Sequence, residues 1–305
     1  MSKKIINFIL NFKFKKKKFK KIINFILYNF LYKLLDSIYI ILDKRHVRRT
    51  KNIDMIPSAF SRRGGTYSYA EWSYIIGIFQ TIISNNLRSK TDLQILDVGC
   101  GAGLMLNSVR QFVGTKGSYI GIDVMKSEID FCKKHYPKEY KFIHIQTKNN
   151  YYSPNQKENI SWEFSNSSFD IITALSVWTH LNEIDAKFYI SEVSRVLKTN
   201  GKAFITFFSL DEDYQAFLKN DLKAKTKFHN QTRAQYVFDQ KAYDSNEWFY
   251  PKWAKIPERA IAVNFTAIEK MFKDNNLKIV NRYNGTWKEV PGIFFQDIFV
   301  LEKII

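Results

Sequence analysis

The stretch Leu96-Asp97-Val98-Gly99-Cys100-Gly101-Ala102-Gly103 is an apolar run that ends in an acid and then breaks into three glycines at alternate positions. Gln94-Ile95-Leu96 reads as a buried strand, and Leu104, Leu106, Val109, Phe112 and Val113 can line one face of a following helix. The glycines therefore fall at a strand-to-helix turn, where missing side chains let a ligand touch the backbone.

The spacing narrows the ligand. A dinucleotide fingerprint needs its third glycine at position 104, where this chain has Leu104, and a phosphate loop needs Gly-Lys-Ser/Thr, which is absent. Asp97 with Gly99, Gly101 and Gly103 instead resembles motif I of the class I S-adenosylmethionine (SAM) methyltransferases. SAM offers an amino-acid end, a sulfonium, a ribose and an adenine, but no phosphate. A turn at a helix N-terminus can hold its carboxylate, and Asp97 can face its ammonium group. Tyr119 to Val124 is a second apolar strand ending in an acid, and Asp123, 24 residues after Gly99, can accept both ribose hydroxyls. The resemblance implies a Rossmann-like seven-stranded α/β fold with SAM as cofactor. It also implies cofactor contacts from Cys100, Val124, Met125, Leu175 and Ser176. Gln146 stands where such enzymes usually present an acid to the adenine amino group; its amide oxygen can accept that bond without a charge.

At 305 residues the chain has room for one large α/β domain with extensions. Its two cysteines, Cys100 and Cys132, form neither a disulfide framework nor a CxxC metal pattern, so no metal and a reducing, cytoplasmic compartment are expected. The net charge of +18 is unevenly placed: residues 1–51 hold 15 Lys or Arg against Asp36 and Asp43, leaving only +5 for residues 52–305. The basic segment repeats itself, Lys3 to Leu10 returning as Lys20 to Leu27. Lysines interleaved with Phe and Ile suit an amphipathic helix in an anionic membrane interface, peripheral on the inner face. A disordered tail of biased composition is the competing reading. Asn24, Asn29, Lys33 and Asp36 interrupt the longest apolar run and argue against a spanning helix, since a charge near the bilayer centre costs about 3 kcal/mol. The organisation expected is thus a basic segment over 1–51 and a methyltransferase domain over 52–305, with an aromatic substrate-side insert at 209–263.

Further elements follow in order. Arg62 to Tyr67 reads as a flap or an exposed turn. Ser127 can cap a helix that puts Ile129, Cys132 and Tyr136 on one face. Tyr140 to Ile145 and Phe169 to Leu175 are strands three and four, and Ser176 to Leu181 leaves the edge that faces the ligand crevice. Asn182 caps a helix that ends in a glycine turn at Gly201, ahead of strand five from Ala203 to Phe208. Thr266 to Glu269 forms a capping box, and Lys278 to Tyr283 and Phe294 to Leu301 close the sheet.

Ser176-Val177-Trp178-Thr179-His180-Leu181, Asn149 to Pro154, Pro257 to Ala262, and Gly285-Thr286-Trp287 followed by Gln296-Asp297 resemble a bacterial group of SAM-dependent methyltransferases over residues 56–303. Members of that group often resemble enzymes encoded with surface-glycan genes. The resemblance implies substrate contacts from Trp178, Trp287, Gln296 and Asp297. Methyl transfer is an in-line displacement, and a hydroxyl acceptor benefits from a base. His180, just beyond strand four, is the candidate base, with His229 and Asp297 in reserve; the alternative is that His180 only caps the helix or braces the cofactor loop. The insert carries Tyr214, Phe217, Phe228, Tyr236, Phe238, Tyr243, Trp248, Phe249, Tyr250 and Trp253, which suit either a sugar or flat acceptor or a satellite core.

These features favour O-methylation of a glycan, glycolipid precursor or small polar acceptor. A nucleic-acid methyltransferase is disfavoured: Leu175-Ser176-Val177-Trp178 replaces the Asn/Asp-Pro-Pro-Tyr/Phe that amino-methylating enzymes commonly carry, and the core has little excess charge. A membrane-tethered protein that binds SAM without turnover is the third reading.

Overall fold

The computed structural model describes residues 30–46, 55–62, 68–156 and 159–304. The repeated basic stretch up to Asn29 and most of the Arg62 to Tyr67 segment lie outside the described residues. The chain divides into two compact units, Met1–Ser73 and Tyr74–Ile305.

In the first unit, helix α1 (Tyr32–His46) directs Asp36 to Arg62 in an ion pair that is shielded from solvent on both sides. Arg62 is fully buried, and burial lowers its guanidinium to about 10, so it is a core contact and not the start of an exposed flap. Helix α2 (Tyr69–Asn86) follows, mostly within the second unit.

The second unit is built on a sheet whose strands alternate with helices. In chain order these are β1 (Gln94–Val98), α3 (Leu104–Val109), β2 (Ser118–Asp123), α4 (Lys126–His135), β3 (Lys141–His144), β4 (Phe169–Ala174), α5 (Glu183–Val196) and β5 (Leu197–Phe207). After the insert come α7 (Phe265–Lys273), β10 (Leu277–Tyr283) and β11 (Asp297–Lys303). The strand order is β10-β11-β5-β4-β1-β2-β3, parallel except for β11, which runs antiparallel to both neighbours. This is the Rossmann-like seven-stranded α/β sheet expected. Near-continuous apolar strands such as Ile171-Ile172-Thr173-Ala174 belong in a sheet covered on both faces, and Leu96, Ile172, Ile190, Val193, Ile205 and Phe299 meet in one core. Strand order reverses at β1 and β4, so the loops leaving these two strands flank one crevice.

Several boundaries differ from expectation. Helix α4 starts at Lys126 after Met125, with no side-chain cap from Ser127. Strand β5 begins at Leu197, directly after α5, because Asn200 (φ +63) makes the turn inside a strand that continues through Gly201. The Thr266 capping box does not form: β9 (Ala262–Asn264) runs straight into α7, which therefore starts at Phe265, and Asn264 donates to the Glu247 carboxylate instead. Asn182 does cap α5, accepting from the Asp185 amide at 3.0 Å.

The insert folds as β6 (Ser209–Leu210), α6 (Glu212–Leu218), β7 (Phe238–Lys241), β8 (Trp248–Pro251) and β9, with a small sheet in the order β6-β9-β8-β7. Tyr214, Phe217, Tyr236, Phe238 and Trp287 pack with Phe208 into a second core. Most of the insert's aromatics are therefore structural, and Phe228, Tyr243 and Trp253 are the large ones left exposed.

Candidate active site

The glycine turn is shaped by three left-handed residues, Gly99 (φ +66), Gly101 (φ +48) and Gly103 (φ +85). A Cβ on Gly99 would come within 2.5 Å of Val177 Cγ2, which shows how closely the loops after β1 and β4 approach. A Cβ on Gly103 would strike the Tyr136 ring, whereas one on Gly101 would enter open space. The bare backbone at Gly101 is the surface a ligand can reach.

Asp123 closes the turn from β2. Its two oxygens accept the Gly101 amide at 2.8 Å and the Met125 amide at 2.7 Å, and it stays partly exposed. Burial raises its pKa against these two amides, and each oxygen keeps a lone pair for a ribose hydroxyl. Val124 is fixed by His144 Nε2 on its carbonyl at 3.1 Å, so His144 is a strut. Exposed Gln146 lies beyond the end of β3.

Two expected cofactor contacts are corrected. Asp97 is fully buried, and its oxygens accept from the Tyr119 hydroxyl at 2.6 Å and the Thr173 hydroxyl at 2.8 Å, so it braces β1 against β2 and β4 and does not face a ligand ammonium. Burial pushes its carboxyl up to about 7. The Cys100 side chain points beneath the turn, toward Gly121, and is buried, so only its backbone belongs to the loop surface.

At the β4 edge Ser176 adopts φ +59, its amide donating to Thr206 Oγ1 at 2.7 Å. Gln296 spans the two residues, donating from Nε2 to Ser176 Oγ at 2.8 Å and accepting from Thr206 at 2.7 Å. With both ends of its buried amide engaged, Gln296 positions the Ser176 turn and is not a pocket-rim residue. Leu175 is half-buried beside it.

His180 lies at the end of a short 3-10 turn (Trp178–His180). Its Nδ1 lies 2.7 Å from the Glu258 carbonyl, which can only accept, so Nδ1 carries the proton and the neutral ring presents a lone pair at Nε2. The Tyr152 hydroxyl lies 3.4 Å from Nε2. Burial lowers the pKa of His180, which keeps it neutral near pH 7. Tyr152 is pushed up to about 12 by burial, then by Tyr151 and by the charge of Asp123, and so retains its proton.

Beside His180 stand Asn149, Tyr151, Tyr152 and Glu258, to which sequence reasoning gave no individual role. Tyr151 and Tyr152 come from a loop closed by Asn149, whose side chain accepts both of their amides at 3.0 Å and donates to the His180 carbonyl at 2.8 Å. Glu258 is almost wholly buried, and its carboxylate accepts from the Tyr243 hydroxyl at 2.7 Å and from Asn150 at 2.9 Å. Tyr243 (φ +50) and Asp244 (φ +60) are consecutive non-glycine residues in the left-handed region, a strain that recurs at functional sites. The family pattern singled out Asn149 to Pro154 and Pro257 to Ala262, but no local signal pairs residues 93 positions apart.

The remaining predicted residues lie elsewhere. Trp178 is fully buried with its indole N–H on the Ala186 carbonyl at 3.2 Å, and Trp287 is fully buried with its N–H on Asp297 at 2.8 Å; both are core residues, not substrate contacts. Asp297 also pairs with Lys288 at 2.8 Å and accepts the Gly285 and Ser209 amides, so it has no capacity left to act as a base. His229 bonds Thr286 at 3.0 Å, which ties the insert to the turn between β10 and β11. Among the described residues there is no group of His, Cys, Asp or Glu that could hold a metal ion.

Residues 96–205 match the family described as a methyltransferase domain. The chain is 32% identical over 114 residues to the ubiquinone biosynthesis O-methyltransferase of Pelagibacter ubique, covering 37% of this chain and 41% of that protein. It is 26% identical over 150 residues to the putative methyltransferase 235L of Invertebrate iridescent virus 6, covering 48% and 50% respectively. The chain thus spans half or less of the length of these relatives. Among solved structures, PH0226 protein from Pyrococcus horikoshii superposes with a TM-score of 0.49 at 16% identity, covering 76% of this chain and 91% of that one. Residues 96–205 thus resemble a methyltransferase domain.

Proposed function

We propose that the whole chain is a SAM-dependent O-methyltransferase acting on a glycan, a glycolipid precursor or another small hydroxylated acceptor, with His180 as the base. The observation that carries this reading is the tautomer of His180. Its protonated Nδ1 is spent on the Glu258 carbonyl, and Nε2 lies 3.4 Å from the Tyr152 hydroxyl, whose place an acceptor hydroxyl can take.

When bound, SAM supplies an electrophilic methyl group on a sulfonium, so the protein's task is alignment, water exclusion and removal of one proton. Gly101 gives backbone access, Asp123 offers oxygens to the ribose, and the Ser176 turn braced by Gln296 forms the facing wall. Tyr151 and Tyr152 pack against the His180 ring and stay partly exposed, as does Tyr243 on the Glu258 carboxylate, a setting suited to the apolar face of a sugar ring or another flat acceptor. The Glu258 carboxylate behind them has only neutral hydrogen-bond partners described, which favours an uncharged acceptor over an anionic one. The relatives named as O-methyltransferases support oxygen as the methylated atom. The basic charge of residues 1–51 suits an acceptor met at the cytoplasmic face of an anionic membrane.

Calorimetry with SAM tests the pocket, and mass spectrometry of surface polysaccharides and lipids from cells with and without the gene tests the acceptor. Heat of binding and loss of one methyl increment from a saccharide or lipid are expected. No heat with SAM would end the enzyme reading, and an unaltered saccharide and lipid profile would end the acceptor class.

A further inference from the structure

Helix α1 is amphipathic in the inverse sense for a helix of a soluble domain. Leu31, Leu34, Leu35, Ile38, Ile41 and Leu42 recur at the spacing of a single helical stripe, and each is between 43 and 58% exposed. The covered side holds Ile40, 5% exposed, together with Asp36, 8% exposed in its pair with fully buried Arg62, and Ser37, which returns its hydroxyl to the Lys33 carbonyl at 2.8 Å. A single exposed Leu is ordinary, but a contiguous stripe this long marks an interaction surface.

Charge in the sequence selects the partner. Nine lysines lie in residues 1–21, and Lys44, Arg45, Arg48, Arg49 and Lys51 follow the stripe, so in sequence the apolar run is preceded and followed by cations. A second copy of the chain would bring the same charge of +13 to the contact and be repelled. A nucleic acid would satisfy the cations but offers nothing to the aliphatic stripe. An anionic bilayer satisfies both, taking Leu and Ile side chains among its acyl chains and ammonium groups at its phosphates. Among the described residues no helix is long and apolar enough to cross a membrane, which leaves an in-plane orientation.

We propose that the Leu31 to Leu42 stripe of α1 lies in the interface of an anionic membrane and holds the protein there together with the flanking lysines and arginines. This deepens the membrane part of the functional reading and rests on that part alone, not on methyl transfer. Co-sedimentation of the full chain with vesicles of phosphatidylcholine, with and without phosphatidylglycerol, tests it. Binding is expected on the anionic vesicles only, and the double substitution L34E/I38E is expected to weaken it about tenfold or more while the melting temperature holds, because both sites are exposed. A dye attached at Ile38→Cys, with Cys100 and Cys132 protected by burial, should shift its emission to the blue on anionic vesicles, a readout that does not depend on the double variant folding. Equal binding by L34E/I38E, or an unshifted dye, would overturn the proposal. So would a dimer in sedimentation velocity that L34E/I38E dissociates while vesicle binding stays unchanged. Calorimetry with SAM on the same samples reports separately on the transfer reading.

Discussion

As the proposed base, His180 is useful only in its neutral form; the Glu258 carbonyl fixes the proton on Nδ1 but raises the pKa, and burial, the larger influence, lowers it below the ordinary histidine value. The acid limb of the pH-rate profile should therefore fall below the ordinary histidine value, with activity lost as pH drops through the depressed pKa. His180→Gln can still donate to Glu258 but cannot take a proton; the transfer rate should fall by about 10²–10⁴ while SAM affinity holds. An unchanged rate would reduce His180 to a brace for its turn. Asp97 carries a second pH signature, of opposite consequence. Its carboxyl is raised to about 7 in the folded chain by burial, so the native state binds that proton more tightly than the unfolded chain does. Its contribution to stability is fully present at acid pH, declines as pH rises from about 4 to about 7, and is level above that. Denaturant melts across this window should show a flatter dependence in Asp97→Asn than in the parent, and parallel curves would contradict the assignment.

At the scale of elements, the three glycines separate folding from binding. Alanine at Gly103 must adopt φ +85 and also meets the Tyr136 ring, so Gly103→Ala should lower stability well beyond the 1–2 kcal/mol of a left-handed residue. Gly101→Ala carries the left-handed cost alone, since its Cβ enters open space, but it fills the surface left for the ligand. Thermal melts should rank Gly103→Ala as the worse folder, and calorimetry should show the greater proportional loss of SAM affinity in Gly101→Ala. An unimpaired affinity there would move the cofactor off this turn. The turn was legible because strand, acid, glycines and helix are contiguous, and each local preference agrees with its neighbours. The sheet was legible for the same reason, apart from boundaries where one bond decides the register, as at Asn264. The acceptor side was much less so. Trp178 and Trp287 look like pocket aromatics in one dimension, but packing buries them, while Tyr152, Tyr243 and Glu258 acquire meaning only through contacts across the fold. Burial of an aromatic is a property of the assembled core that no spacing rule contains.

Across the whole second unit, a knot of charge joins the insert to the edge of the main sheet. Asp211 caps α6, Asp297 opens β11, Arg282 projects from β10, and Lys288 lies in the turn between them, fully buried. Lys288 bonds Asp211 at 2.5 Å and Asp297 at 2.8 Å, and Arg282 also pairs with Asp211. Burial opposes ionisation of Asp211, yet Lys288 and Arg282 together hold its pKa below the usual carboxylate value. A buried pair is weak evidence of net stabilisation, but removal of one member strands the others, at a cost of about 3–5 kcal/mol. Lys288→Met should show that loss in a denaturant titration. It should also blunt the acid response: the parent's Asp211 contribution is present above the unfolded carboxyl pKa and disappears as pH falls through the depressed one, whereas in the variant it is largely gone already. Gln296, next in chain to Asp297, holds the Ser176 turn, so the same substitution should weaken SAM binding from outside the pocket. A variant of parental stability would mean that Arg282 alone neutralises both carboxylates, and Arg282→Met in the Lys288→Met background would then produce the loss.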